Sequence, residues 1–131
     1  MRSSFLFFVS VLCGTFLANA QSAALSDPAE IRSKANDWLL GFLSEEDTRE
    51  LMSEHPQAKG TFTWDIVIAA QGAVTSKASF GKARIQTVFM AESNINDHNF
   101  AGKFKDLLKA KVFDWKMRKG EQVKVRFTFE I

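Results

Sequence analysis

The chain offers two histidines, and each follows a carboxylate: His55 after Glu54, and His98 after Asp97. A histidine oriented by a carboxylate is the raw material of general acid–base catalysis, and three or four convergent His, Asp or Glu ligands that of a zinc site. Both pairs, however, fall at expected helix ends beside loops, where a solvated cap is the simpler account. They could converge only if two distant loops touched, which the sequence does not suggest. Glu45, Glu46 and Asp47 are consecutive, without the alternating ligands and central glycine of a calcium loop. No glycine-rich phosphate cradle is present, the chain has no tyrosine, and its one cysteine, Cys13, lies near the start. No catalytic residue, metal site or cofactor is therefore expected. Trp38, Trp64 and Trp115 could stack on a ligand, but each is in phase with an apolar face, so core packing is the expectation.

The elements that would position these residues begin after a leader. Met1 to Ala20 carries Arg2, an apolar run from Phe5 to Ala18, and then Ala18-Asn19-Ala20, the three-part pattern of a secretory signal with small residues at the −3 and −1 positions. The apolar run is short of the roughly 20 residues a membrane-spanning helix needs. Leu12 occupies the place before Cys13 where a lipoprotein signal wants a small residue. Cleavage after Ala20 is expected, giving a periplasmic protein that begins at Gln21. Removing Arg2 from the 17 basic residues leaves 16 against 15 acidic ones, a near-zero balance that offers no electrostatic footprint for nucleic acid or anionic lipid. Residues 21–131 are enough for one domain with a sizeable core. The absence of Asn-x-Ser/Thr sequons favours a bacterial envelope.

Gln21 to Ser26 reads as a frayed terminus. Asp27-Pro28-Ala29-Glu30 is a helix start, with Asp27 at N-cap, Pro28 at N1 and Glu30 closing a capping box. Ile31, Ala35, Trp38, Leu39, Phe42 and Leu43 then mark one face of a helix over Pro28 to Leu43. Ser44 is expected to cap a second, shorter helix that Pro56 stops, so the N-terminal helices occupy residues 28–55 and the core residues 60–131. From Gly60 the period becomes two: Phe62, Trp64, Ile66 and Ile68 alternate with Thr61, Thr63, Asp65 and Val67. Gly72 marks a turn, and a partner strand follows from Ala73, either one strand kinked or bulged at Gly81 or two short ones. Phe100, Phe104, Leu107 and Leu108 give a further helix with Asp97 as its cap. Val112, Trp115 and Met117 read as an apolar connection. After Lys119-Gly120, Val123, Val125, Phe127, Phe129 and Ile131 alternate with Lys124, Arg126, Thr128 and Glu130 in a closing strand. The expected fold is α+β in two layers: a three-stranded antiparallel sheet, order 2-1-3, covered on one face by helices.

Pro56-x-x-x-Gly60, an alternating strand, Gly72 with Val74 two residues on, a helix ahead of Trp115-x-Met117 and a final alternating strand together resemble the C-terminal domain of TonB. The likeness is greatest to its relatives in bacterial gliding and energy-transducer proteins, and it covers residues 48–131. It departs in a longer segment between Gly72 and the helix at Phe100, and in lacking the membrane helix and Pro-rich linker of the parent proteins. The resemblance implies a free-standing periplasmic recognition domain rather than an energy transducer. It further implies that the closing strand accepts an extended segment of an envelope or outer-membrane protein by β-strand addition. The edge would be Val123 to Ile131, with Lys124, Arg126 and Thr128 placed to read the partner or simply to guard the edge against aggregation. A homodimer through the same edge is expected, and nucleic acid is not an expected partner. The alternative is a carrier of a small apolar ligand or lipid, with the nine phenylalanines of residues 21–131 lining a cavity between the layers.

Overall fold

A computed structural model describes residues 24–75 and 77–131. The leader, its cleavage site and Gln21 lie outside the described residues. The elements in chain order are β1 (Ala24–Leu25), α1 (Pro28–Leu40), a 3-10 turn (Phe42–Ser44), α2 (Glu46–Glu54), β2 (Thr61–Ala70), β3 (Phe80–Ser93), α3 (His98–Lys109), β4 (Val112–Arg118) and β5 (Gln122–Glu130). The α+β class stands, but the sheet has five strands rather than three, in the order β1-β4-β3-β2-β5. It is mixed, since β1 runs parallel to β4 while the other pairs are antiparallel.

The three expected strands keep their expected neighbours: β2 lies between β3 and β5. The two extra strands correct the sequence reading. Val112 to Arg118 is not a connection, because Phe113, Trp115 and Met117 are buried and alternate with exposed Val112, Asp114, Lys116 and Arg118. The N-terminal stretch is not wholly frayed, because Ala24 and Leu25 pair with Lys116 and Met117. β3 is one strand, but it begins at Phe80 rather than at Ala73, and its irregularities fall beyond Gly81, the first between Lys82 and Arg84 in its pairing with β4. In its pairing with β2 the register slips at Gln86 and again at Ala91, each an extra residue on β3. Gly81 is required for another reason: the Gln71 carbonyl occupies the place of a Cβ there.

The helix starts follow local chemistry. Asp27 Oδ1 accepts from Ala29 N–H at 3.1 Å, and Asp97 Oδ1 accepts from Phe100 N–H at 3.0 Å, capping α1 and α3. Ser44 does not cap α2. It ends the 3-10 turn, and Glu45 takes the N-cap position without a side-chain bond. α1 accordingly stops at Leu40 instead of reaching Leu43, with Gly41 at its C-cap.

Every second residue of β2 is buried, and Phe62, Trp64, Ile66 and Ile68 face the helices. Phe104 of α3 sits at the centre of the core, with its ring 4.7 Å from Phe62, 4.9 Å from Phe129 and 5.1 Å from Phe42. Such aromatic pairs are worth roughly 0.5–1.5 kcal/mol each beyond the area they bury. Trp64 and Trp115 are core residues. Trp38 is half-buried, edge-on to Phe113 with Lys111 over its ring, and donates its Nε1–H to Glu45 at 2.8 Å. The opposite face of the sheet carries no helix among the described residues and is mostly polar.

Candidate functional site

The closing strand β5 lies at one end of the sheet order, hydrogen-bonded among the described residues to β2 alone. Its register is set at the far end by Gly60 and Ile131, which exchange N–H and C=O contacts at 2.8 and 3.5 Å. Gly60 has a φ of +132°, and a Cβ there would stand 2.7 to 2.9 Å from Asn94 and Ile95, so only glycine fits this corner. From that anchor, Val123, Val125, Phe127 and Phe129 turn their backbone groups toward β2, because residues of an antiparallel strand alternate in the side they serve. Lys124, Arg126, Thr128 and Glu130 therefore turn theirs outward. The Lys124 carbonyl shows this directly, since it accepts from Arg32 Nε of α1 at 3.2 Å. The N–H and C=O groups of Arg126, Thr128 and Glu130 form no backbone hydrogen bond on that side among the described residues.

The side chains named from sequence share the helix-free face. Arg126 stands opposite Asp65 in register and donates to both its carboxylate oxygens, Nε at 2.7 Å and the terminal nitrogen at 2.9 Å. That guanidinium, together with the more distant charge of Lys124, holds the Asp65 carboxyl below its ordinary value, and Asp65 in turn raises Arg126. The Thr128 hydroxyl is bonded to the Thr63 hydroxyl at 2.7 Å. Two of the three are thus turned onto the neighbouring strand, and Lys124 alone projects as an exposed side chain without an ion pair among the described residues. Phe89, 59% exposed, lies across from Asp65 on the same face.

The histidine reading requires a correction. The two distant loops do touch: Lys59 N–H donates to Asn96 Oδ1 at 2.9 Å, and Asn96 Nδ2 donates to the Gln57 carbonyl at 2.9 Å. This knot brings His55 Nδ1 to 3.0 Å from Asp97 Oδ2, with the imidazole mostly buried against Phe100. The Phe100 amide first, and His55 second, hold the Asp97 carboxyl below its ordinary value. The carboxylate is therefore committed twice, to the cap of α3 and to the ring that ends α2, and the pair fastens one helix to the other. His98 is exposed beside it. A cleft of about 290 Å³ between α2 and α3 is lined by Asp47, Glu50, Glu54, Asp106 and Lys103 over Leu51 and Leu107, and opens to solvent.

Comparison with protein-family models, with curated proteins and with solved structures yields no match.

Proposed function

We propose that this chain is a protein-binding module that takes up an extended segment of an envelope protein as an added strand beside β5. The observation that carries the reading is the row of outward backbone groups at Arg126, Thr128 and Glu130, on a strand held in register by Gly60 and by the Asp65–Arg126 clamp. Such a row supplies up to two hydrogen bonds at every second residue, which is the source of affinity in strand addition. The exposed Lys124, with Arg126 and Thr128 on one side and the half-buried Phe127 and Ile131 on the other, would supply selectivity. The resemblance of residues 48–131 to TonB C-terminal domains supports the same edge. On this reading the chain is exported, loses residues 1–20 and works in the periplasm as a single domain without catalysis. It would also self-associate through β5 when no partner is present. A carrier of an apolar ligand would need a cavity between the layers, where Phe62, Trp64, Phe100 and Phe104 instead pack ring against ring.

Thr128→Pro is the discriminating variant. Its N–H faces outward, so proline removes a donor from the free edge and leaves the β2–β5 ladder intact. Wild type and variant are compared for retention of envelope proteins from extract, with circular dichroism confirming that both fold. A protein held by the first and lost by the second supports strand addition at β5. Equal retention places the site elsewhere, and no retention by either favours the carrier.

A further inference from the structure

The balanced charge of the chain conceals a segregation that the register creates. Lys82 of β3 and Lys116 of β4 are direct cross-strand partners on the helix-free face, an arrangement that costs stability, since like charges set opposite one another repel. Arg118, two residues along β4, pairs with Phe80 on the same face, and Arg84, beyond a register shift that follows Lys82, pairs there with exposed Val112 while its neighbour Ala83 is buried in the core. Arg118 rests over the Phe80 ring at 5.1 Å, and Lys77 and Lys119 flank the cluster from the adjoining loop and turn. The carboxylates bordering it are Asp114 and Glu121, the latter 3.9 Å from Arg118. No ion pair involves Lys82, Arg84 or Lys116 among the described residues. Exposed apolar side chains stand at its margin, Val74 at 68% and Val112 at 41%. Elsewhere, α2 and its cap carry Glu45, Glu46, Asp47, Glu50 and Glu54 against Arg49 alone.

We infer that this end of the sheet is a docking surface for an anionic bilayer, with Lys82, Arg84, Lys116 and Arg118 set against lipid phosphates and Val74 reaching the headgroup boundary. Charge complementarity selects the occupant. An open sheet face with several cations and apolar residues at its rim fits a planar anionic surface, and the repulsion between Lys82 and Lys116 is relieved when phosphates lie between them. The site is separate from the β5 edge and does not depend on what that edge binds.

The test is flotation of the full chain with phosphatidylglycerol vesicles and with phosphatidylcholine vesicles, for wild type and for Lys116→Glu. With about fivefold in affinity per basic residue near the surface, reversing one charge removes about 25-fold of the binding to phosphatidylglycerol. The same variant places a carboxylate opposite Lys82, so its unfolding temperature rises, a result that a loss of folding could not mimic. The outcome expected is preference for phosphatidylglycerol, loss of that preference in 0.5 M chloride and in Lys116→Glu, and a more stable variant. Equal binding to both lipids overturns the proposal, because the apolar segment before Ala20 would then be responsible, and so does a variant that floats like wild type. Displacement by inorganic phosphate beyond that by chloride of equal ionic strength would make the site a phosphate-ion pocket instead. A salt-sensitive oligomer in sedimentation, abolished by Lys116→Glu, would assign the basic face to the acidic α2 of a second copy.

Discussion

Arg32→Ala is expected to tighten the binding of a strand at β5. α1 packs along β5, and the guanidinium of Arg32 reaches its outer edge, where Nε donates to the Lys124 carbonyl at 3.2 Å. That carbonyl would be the next acceptor in line for a guest strand already paired with Arg126, Thr128 and Glu130. An exposed hydrogen bond of this length sits at the low end of the net range, so its loss should cost the free protein about 0.5 kcal/mol, or roughly 2–4 °C in unfolding temperature. The guest gains one backbone hydrogen bond of about 1 kcal/mol, roughly a fivefold lower Kd. Titration of the captured partner against wild type and Arg32→Ala reads this directly. Amide exchange provides the supporting assay: the amides of Lys124, Arg126, Thr128 and Glu130 should exchange quickly, and those of Val123, Val125, Phe127 and Phe129 slowly. An affinity that falls would mean that Arg32 contacts the partner, and one that does not change would mean that the guest never reaches Lys124; either refutes the reasoning. Slow exchange at Arg126 and Thr128 would show that the outward assignment is wrong.

Three further outcomes follow from the packing. Gly60→Ala should destabilise by roughly 2–4 kcal/mol, from backbone strain at φ +132° plus the collision with Asn94 and Ile95, as measured by urea unfolding. Thr48→Val should stabilise by about 1 kcal/mol in the same assay, because the Thr48 hydroxyl is buried in α2 without a partner among the described residues. Acid should weaken the fold through Asp97. Its folded pKa lies below the ordinary 3.8, so its contribution is complete above that value and is lost as pH falls through the folded one. Asp97→Asn, which can still cap α3, should keep neutral-pH folding and shrink the acid-induced loss measured by circular dichroism, leaving the share of Asp65, which Arg126 holds low.

Much of the fold was legible because burial follows period. The alternation of Phe62 to Ile68 and of Val123 to Ile131 named two strands and their buried faces, and Asp27 and Asp97 named two helix starts. Phe113, Trp115 and Met117 carried the same period-two signal and were passed over because a strand that short resembles a connection. Gly81 suggested a bulge, but the close approach of the Gln71 carbonyl was what required it. β1 could not be read at all, since two residues carry no periodicity.

The sequence by itself determined the class, the inner faces of α1, α3, β2 and β5, and the place of the closing strand beside β2. What it left open were relations between residues far apart in the chain, which depend on register and loop packing rather than on local pattern. Tertiary structure decided that β4 and β1 extend the sheet beyond β3, so that β5 remains an edge, and that Arg32 closes one acceptor of that edge. It brought His55 to Asp97 by knitting two loops through Asn96, and it placed Lys82 opposite Lys116, gathering at one end of a nearly neutral chain a charge that its composition had balanced away.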